Sequence, residues 1–365
     1  MAQKILITGG LGYLGSLVAP YLVERGFDVT ILDTGFFRDS LLYPPPSSAA
    51  RIVYKDARDV AQADLKGMDA VLHLAGISND PFGNLSVERI YDPTRSYARN
   101  IASLCKTQGI RFVFASSCSV YGTGAGPTAL DEDSPLTPQT PYSRNKHQIE
   151  QDLASLADGG FSPVALRFAT AFGSSPRMRF DIVINMLVGM AAAEGKIVLN
   201  SDGQAWRPHV HILDIAESIR QTLACPHRGP GLLILNVGRD DNNMKILDVA
   251  RMVGEECGGV RVSFLRDSPA GDDVVKSALV GASGRDTRTY FVSFGKIKEY
   301  LPEFQCRYSV RDGVREMRDL FRQIGLTAAM FRDPRFHRLQ ALDALFGRGA
   351  IDADLRWMRA NEHAL

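Results

Sequence analysis

The stretch TGGLGYLG, residues 8–15, decides the fold that this sequence predicts. It follows an apolar run that is typical of a strand and precedes a helical run from Ser16 to Arg25. Gly9 permits a tight turn, Gly12 lets the backbone approach a pyrophosphate, and Gly15 allows the helix to pack closely on the sheet. Because the helix N-terminus adds free amides and a partial positive charge, the stretch predicts a dinucleotide-binding turn. The residues expected to contact the dinucleotide here are Gly9, Gly12, Tyr13, Leu14 and Gly15.

Short apolar runs alternate with helical patterns up to about residue 170. These runs are mostly apolar rather than strictly alternating, as is typical of strands that are buried on both faces. Strands that alternate with helices predict an α/β fold, a Rossmann-type doubly wound parallel sheet. The run 233–238 is apolar enough to rejoin that sheet. The predicted strands are residues 4–8, 28–32, 51–54, 70–74, 111–116 and 164–167.

The pattern of strands and helices becomes less regular in the second half of the chain. The sequence therefore predicts an NAD-binding Rossmann domain over residues 1–172 and a smaller mixed α/β substrate-binding lobe over residues 173–311. Residues 231–250, approximately, are expected to return from that lobe to the first domain. Apolar residues at helical spacing predict that residues 312–365 form C-terminal helices packed on the second lobe.

The composition of the 365 residues is that of an ordinary globular protein, with 45% hydrophobic and 23% charged residues. Since 42 basic residues balance 41 acidic ones, no overall charge favours binding to nucleic acid or to an anionic membrane. The first apolar stretch is far shorter than the roughly 20 residues of a membrane span, which predicts a cytoplasmic protein. The five cysteines are scattered without a C-x-x-C pair, which predicts reduced thiols and no metal site.

Asp33, at the end of the second predicted strand, indicates which dinucleotide binds. A carboxylate there accepts hydrogen bonds from the adenosine ribose hydroxyls and repels a 2′-phosphate, so the sequence favours NAD over NADP. Arg38 keeps NADP as the alternative, since an arginine can accommodate that phosphate. The other residues expected to line the cofactor follow the third and fourth strands and are Asp56, Ala57, Leu74, Ala75 and Gly76.

Hydroxyl groups and a tyrosine-lysine pair follow the fifth predicted strand. Residues 116–122 read SSCSVYG, and the carboxyl ends of parallel strands face the ligand crevice. Tyr142 and Lys146 stand four residues apart, so on a helix their side chains share one face. Because a nearby ammonium stabilises a phenolate and lowers its pKa, the pair predicts Tyr142 as a general acid and base. Lys146 would then lower the pKa of Tyr142 and donate a hydrogen bond to the cofactor ribose.

Together these motifs resemble the extended short-chain dehydrogenase/reductase family, and more closely its NAD-dependent nucleotide-sugar epimerase/dehydratase branch. The resemblance implies an enzyme with tightly bound NAD and a nucleoside-diphosphate sugar lying across the strand ends. It also implies a homodimer built from helices near residues 85–107 and 142–157. The likeness rests on the glycine turn, Asp33, residues 116–122, Tyr142, Lys146, residues 202–214 and residues 235–238.

The resemblance further implies roles for individual residues. Ser117 would hydrogen-bond the sugar 4-oxygen beside Tyr142, and Ser116 would line the cofactor. Arg207 would meet the substrate diphosphate, because an arginine fork suits phosphate oxygens. Thr170 stands where many sugar epimerases carry an asparagine. The other residues assigned to the substrate are Arg177, Arg179, Asn185, Arg285 and Arg288.

The residues that follow Ser116 favour one reaction of that branch. The 4,6-dehydratases that this chain resembles carry Thr-Asp-Glu here, because eliminating water needs a carboxylic acid and a carboxylate. This chain has Ser117, Cys118 and Ser119, and a hydroxyl does not readily carry a proton at neutral pH. The sequence therefore predicts an epimerase of a nucleoside-diphosphate sugar that acts through a transient 4-keto intermediate.

Three alternatives stay open at the level of sequence. Cys118 can be a base beside a keto group in a 3,5-epimerase or a keto-sugar reductase, with His209 or His211 as partner acid. Cys118 can also be a small packing residue, and the histidines can simply stabilise their strand. A non-enzymatic NAD-sensing protein is the third alternative, although it would not need Tyr142, Lys146 and Ser117 together. The sequence leaves the sugar and the nucleotide base open.

Overall fold

The fold is seen in a computed structural model of the chain. It describes residues 2–46, 49–78, 86–124, 128–225, 229–265 and 288–358. The strands in these ranges are β1 (Lys4–Thr8), β2 (Asp28–Asp33), β3 (Arg51–Tyr54), β4 (Ala70–His73), β5 (Arg111–Ser117), β6 (Ala129–Leu130), β7 (Val164–Phe168), β8 (Thr170–Phe172), β9 (Ile197–Leu199), β10 (Trp206–His211), β11 (Leu233–Val237), β12 (Asn243–Lys245), β13 (Val262–Phe264) and β14 (Phe291–Val292).

The helices in the same ranges flank these strands. None of them is both long enough and apolar enough to cross a membrane. In chain order they are α1 (Gly15–Val23), α2 (Val87–Gln108), α3 (Pro141–Leu156), α4 (Val183–Glu194), α5 (Ile212–Ala224), α6 (Ile246–Glu256), α7 (Lys296–Tyr300), α8 (Val310–Gln323), α9 (Ala328–Arg332) and α10 (Arg338–Gly347).

Seven strands form one central sheet in the order β11-β7-β5-β4-β1-β2-β3. Every neighbouring pair in it runs parallel. The strand order reverses between β1 and β4, and the glycine turn follows β1 at that point. The prediction of a doubly wound parallel sheet is therefore confirmed, and its ligand crevice is expected where the order reverses.

Helices cover the central sheet on both faces. On one face, Val18 of α1 and Ile219 of α5 join the apolar core of the sheet. On the other face, Ile101 of α2 and Leu153 of α3 do so. Because both faces are covered, the inner strands β4 and β7 are buried along their whole length, which explains why their sequences are mostly apolar, with one polar residue each, His73 and Arg167.

A smaller lobe of mixed structure follows the central sheet in sequence. It contains the three-stranded sheet β12-β10-β8 and the pair β13-β9, with α4 and α6 packed together beside them. Its apolar core includes Phe180, which makes edge contacts with Phe321, Phe331 and Phe336 at centroid distances of 5.7, 5.0 and 5.9 Å. The strand predicted from residues 233–238 leaves this lobe and pairs parallel with β7.

The C-terminal tail packs on both parts of the molecule, and here the sequence prediction was wrong in part. Helix α8 packs on α4 and α6 of the second lobe, as the helical spacing predicts. Helix α9 also packs on α4, but the tail leaves this lobe after it, because Leu342, Leu345 and Leu355 join an apolar cluster with Ile90 and Tyr91 of α2. Helical spacing identifies an apolar face but not the surface that covers it, so the second partner was missed.

Candidate active site

A cavity of about 700 Å³ lies at the carboxyl ends of the central strands. Every residue that the sequence assigns to the cofactor lines it. Ser117, Thr170, Arg179, Arg207 and Arg288 also line it, so the two lobes contribute to one site. Among the described residues assigned to catalysis or to the substrate, those that do not line it are Cys118, Arg177 and Asn185. Arg285 lies outside the described residues.

The glycine turn has the geometry that its sequence predicts. Gly9 has φ of +76°, and a Cβ there would lie 2.6 Å from the backbone nitrogen of Ala75. At Gly12 a Cβ would meet only the Gly9 carbonyl oxygen, at 3.4 Å, so a ligand can approach the backbone from the cavity. Gly15 was expected to allow close packing of the helix on the sheet. Instead, a Cβ at Gly15 would contact Gly10 of the same turn rather than a strand.

Asp33 presents its carboxylate to the cavity at the end of β2. Its two oxygens accept hydrogen bonds from the backbone amides of Leu11, at 3.0 Å, and Gly35, at 2.8 Å. Burial raises the pKa of Asp33, while those amides and then Arg338 and Arg177 act to lower it. Such a carboxylate can accept hydrogen bonds from ribose hydroxyls and repel a 2′-phosphate.

The remaining residues expected at the cofactor also have defined positions. Asp56 accepts hydrogen bonds from Arg58 at 2.9 and 2.5 Å and caps the turn that carries Ala57. Arg38, on which the NADP alternative rests, does not line the cavity and lies 3.9 Å from the carboxylate of Asp39. The geometry therefore favours NAD.

Tyr142 and Lys146 lie on the first turns of α3. That helix begins here because Thr140 caps it reciprocally with Ser143, and Pro141 occupies its first position. The side chain of Ser117 acts on the Tyr142 hydroxyl and is the leading group that lowers its pKa. The helix thus brings Tyr142 and Lys146 to the cavity that Ser117, at the end of β5, also lines.

The electrostatics of Tyr142 differ from the sequence prediction. Burial raises the pKa of Tyr142, and the groups that act to lower it are Ser117, then Arg338 and Arg179. Lys146 is not among the leading contributions, because its ammonium lies 5.7 Å from the Tyr142 ring centroid and donates to the Ala115 carbonyl at 2.7 Å. Burial lowers the pKa of Lys146 to about 7, with Glu150 opposing it.

A buried polar cluster that sequence reasoning missed supports this part of the cavity. Glu150 accepts hydrogen bonds from Ser116 Oγ at 2.5 Å and from Arg167 Nε and Nη2 at 3.0 and 2.8 Å. Arg167 Nη1 donates in turn to the Tyr121 hydroxyl at 3.0 Å. The available signal was a glutamate four residues after Lys146 on α3 and an arginine inside an otherwise apolar strand.

The structure does not bring Cys118 or its suggested partners to the cavity. Cys118 is 1% exposed, and its thiol donates to the Arg167 carbonyl oxygen at 3.2 Å. Burial raises the pKa of this thiol, which disfavours the thiolate that a base requires. His209 and His211 are buried outside the cavity lining, and burial lowers the pKa of His209 to about 3.

The arginines assigned to the substrate divide into two groups. Arg207 and Arg288 line the cavity from the second lobe, where Arg207 Nη1 donates to the Arg288 carbonyl and its guanidinium lies 5.1 Å from the Tyr290 ring centroid. Arg179 also lines the cavity and donates to both oxygens of Asp181, at 2.8 and 2.9 Å. These positions are accessible to an anion in the cavity.

Arg177 and Asn185 are the substrate residues that the cavity lining lacks. Arg177 is 1% exposed and stacks over the ring of Phe37, 4.5 Å from its centroid. Asn185 is buried and bonds the Tyr13 hydroxyl and the Gly173 amide, each at 3.1 Å. Asn185 therefore connects the glycine turn to the second lobe and does not line the cavity.

Arg338 is a cavity residue that the sequence did not single out. It begins α10 in the C-terminal tail, is 8% exposed and lines the cavity. Its Nη1 donates to Ser78 Oγ, while its Nε has no hydrogen-bond partner among the described residues. No local motif marks an arginine that reaches the site from 260 positions away. A buried cation with an unused donor fits the diphosphate of a dinucleotide.

The helices expected to form a dimer lie side by side. Helix α2 packs along α3, and Arg95 of α2 forms a bidentate pair with Asp152 of α3 at 2.7 and 2.9 Å. The predicted homodimer remains a prediction.

Comparisons with known proteins agree with this geometry. The UDP-glucose 4-epimerase of Azospirillum brasilense is 27% identical over 295 residues, which cover 74% of this chain and 82% of that one. The UDP-glucose 4-epimerase of Corynebacterium glutamicum is 28% identical over 296 residues, covering 74% and 85%. The solved structure of MoeE5 in complex with UDP-glucuronic acid and NAD is similar with a TM-score of 0.71 and 25% identity, covering 88% of this chain and 99% of that one.

A family model extends the likeness from the first strand to the last strand of the central sheet. The model of the NAD dependent epimerase/dehydratase family matches residues 5–238, which is well over half of the chain. The predictions of an enzyme of this type and of NAD as its cofactor are thereby confirmed. From its glycine turn to its last sheet strand, the chain belongs to the NAD dependent epimerase/dehydratase family.

Proposed function

We propose that the protein is an epimerase of a nucleoside-diphosphate sugar and inverts C4 through a transient 4-keto intermediate. The observation that carries this proposal is that Tyr142, Ser117 and Lys146 line one cavity. Tyr142 and Lys146 lie on the same helix, and the side chain of Ser117 acts to lower the pKa of Tyr142. A phenol and a hydroxyl at one point can bind the oxygen of a secondary alcohol and of the ketone derived from it.

Tyr142 and Ser117 would bind the 4-oxygen in both halves of the reaction. Tyr142 Oη receives the proton of the 4-hydroxyl as the ketone forms and returns it when the hydroxyl forms again. Ser117 bonds the same oxygen and keeps it beside Tyr142. NAD, when bound, supplies the acceptor and then the donor of the hydride. Arg179 and Arg338 favour the ionised phenol, because each acts to lower the pKa of Tyr142.

A nucleotide diphosphate suits the wall contributed by the second lobe. Arg207 and Arg288 line the cavity there, and guanidinium groups bind phosphate oxygens through paired hydrogen bonds. The relatives named above are UDP-glucose 4-epimerases, which agrees with a nucleotide sugar as substrate.

Three of the four carboxylates among the described lining residues are already engaged, which argues against a dehydratase. Elimination of water needs a carboxylic acid and a carboxylate close to the sugar. Asp181 is held by Arg179 through two hydrogen bonds, and Asp56 is likewise held by Arg58. Asp33 is committed to two backbone amides at the far end of the glycine turn. Epimerisation at C4 requires none of them as an acid.

Incubation with a panel of UDP-, dTDP-, GDP- and CDP-sugars in deuterated water tests this function. We expect inversion at C4 without deuterium at any carbon, and loss of turnover of about 10²- to 10⁴-fold in Tyr142→Phe. Tyr21→Phe is the matched control, since its hydroxyl bonds Glu217 at 2.7 Å outside the cavity. Deuterium at C3 or C5, or equal activity of the two variants, would contradict the proposal.

A further inference from the structure

The last described part of the chain crosses the mouth of the cofactor crevice. After α10, residues 350–357 return to the first domain, and Asp354 and Leu355 line the same cavity as Asp33. Trp357 Nε1 donates to the Thr34 carbonyl at 2.7 Å, one residue beyond Asp33. The tail therefore lies beside the carboxylate that is expected to bind the adenosine ribose.

Ionic and aromatic contacts fix this crossing. Arg58 donates to the carbonyl oxygens of Asp354, at 2.6 Å, and Leu355, at 2.9 Å. Arg356 pairs with Asp59. The indole of Trp357 packs 5.3 Å from the ring centroid of Phe36, which follows β2. The tail is thus attached to the loops after β2 and β3, which border the adenosine end of the crevice.

Arg338 begins the same segment and enters the middle of the crevice. Its Nη1 donates to Ser78, which follows β4 two residues after Gly76. Its guanidinium carbon lies 5.8 Å from the ring centroid of Phe37, and its charge acts on both Asp33 and Tyr142. This position lies between the adenosine ribose site and the tyrosine, where a dinucleotide carries its diphosphate.

The charge around Arg338 also calls for an anion. Arg177 and Arg179 oppose its positive charge, and Asp181 is the leading acidic group that favours it. Asp181 is already bonded at both oxygens by Arg179. Three buried guanidinium groups therefore exceed the neighbouring carboxylates, and Nε of Arg338 is a buried donor without a hydrogen-bond partner among the described residues.

We propose that residues 338–357 form a clasp over the bound cofactor, in which Arg338 binds the NAD diphosphate and residues 354–357 cover its adenosine end. The clasp slows cofactor release, so NAD stays bound between turnovers. This inference rests on the binding of NAD and not on the proposed reaction, because it concerns a step that needs no sugar.

The test compares Arg338→Met with Arg335→Met in the full-length protein. Arg335 is an exposed neighbour that pairs with Asp333, so its replacement controls for loss of a tail arginine. The NAD content of the purified variants and the rate of NADH release, followed by fluorescence without any sugar, are measured. We expect about 10- to 100-fold weaker NAD binding and faster release in Arg338→Met, the effect of losing a charge-assisted contact, and no change in the control.

Two further variants keep the proposal falsifiable if Arg338→Met fails to fold. Ser78→Ala removes the hydroxyl that positions the guanidinium, and Trp357→Leu loosens the cover without touching the diphosphate site. Both should release NADH faster than the wild type. An unchanged rate of NADH release in those variants that fold would overturn the proposed clasp. Weaker binding of a nucleoside-diphosphate sugar with unchanged NAD retention would also overturn it, because Arg338 would then serve the substrate.

Discussion

Removing the charge of Glu150 should destabilise the protein strongly. Glu150 and Arg167 form an ion pair whose side chains are 3% and 2% exposed. The carboxylate accepts three hydrogen bonds of 2.5, 2.8 and 3.0 Å, two from Arg167 and one from Ser116. Glu150→Gln keeps the size of the side chain but leaves the guanidinium buried without a counter-charge.

We expect Glu150→Gln to lower the free energy of unfolding by about 3–5 kcal/mol, the usual effect of removing one partner of a buried pair. The desolvation of Arg167 remains, while the attraction that offset it is lost. The double variant Glu150→Leu with Arg167→Met removes both charges, so it should recover most of that loss. Because Glu150 acts to raise the pKa of Lys146, the single variant should also lower that pKa further.

Urea unfolding followed by the fluorescence of Trp206 and Trp357 measures the effect. Glu255→Gln is the matched control, since Glu255 is exposed and its pair with Arg311 is 3.2 Å long. That control should lose less than about 1 kcal/mol. A loss of the same small size in Glu150→Gln, or a double variant no more stable than the single one, would refute the reasoning.

Two other predictions concern buried groups outside the cavity. Cys118→Ala should lose about 1–2 kcal/mol of stability and keep turnover within about twofold, because its thiol bonds a core carbonyl. A tenfold loss of turnover at wild-type stability would instead assign chemistry to the thiol. His209 has a folded pKa of about 3, below the ordinary 6.5, so between those values only the unfolded chain binds its proton and stability falls as pH falls. As the pH falls, the free energy of unfolding of His209→Leu should therefore decrease by up to about 1.4 kcal/mol less per pH unit than that of the wild type. An equal decrease in both proteins from pH 6 to pH 4, measured by urea unfolding, would contradict this.

The central sheet and the glycine turn were predictable because their signals are local. Continuous apolar runs mark strands covered on both faces, and the strand-turn-helix context gives three glycines a defined geometry. Tyr142 and Lys146 were also found by local spacing, because four residues on a helix bring two side chains to one face. Predictions of this kind depend only on residues near one another in the chain.

The remaining features depend on pairings between distant residues, which spacing does not encode. Arg338 reaches Ser78 across 260 positions, and its helix gave no sign of which surface it would meet. The sequence attributed the lowering of the Tyr142 pKa to Lys146, because the two residues are neighbours on α3. In the fold, Arg338 and Arg179 are the charged groups that act to lower this pKa. The position of Cys118 likewise follows from the turn after β5, which buries its side chain.

The buried polar cluster around Glu150 and Arg167 explains why polar residues occur inside the sheet. Glu150 joins α3 to Ser116 on β5 and to Arg167 on β7, so one carboxylate connects three elements. Tyr142 lies on α3 and Ser117 is the next residue after Ser116, so the same connection fixes the distance between them. An apolar replacement can fill that space, but it cannot define the register of a helix against two strands through directed bonds. The pair that would bind the sugar 4-oxygen is therefore positioned by hydrogen bonds among buried side chains of α3, β5 and β7.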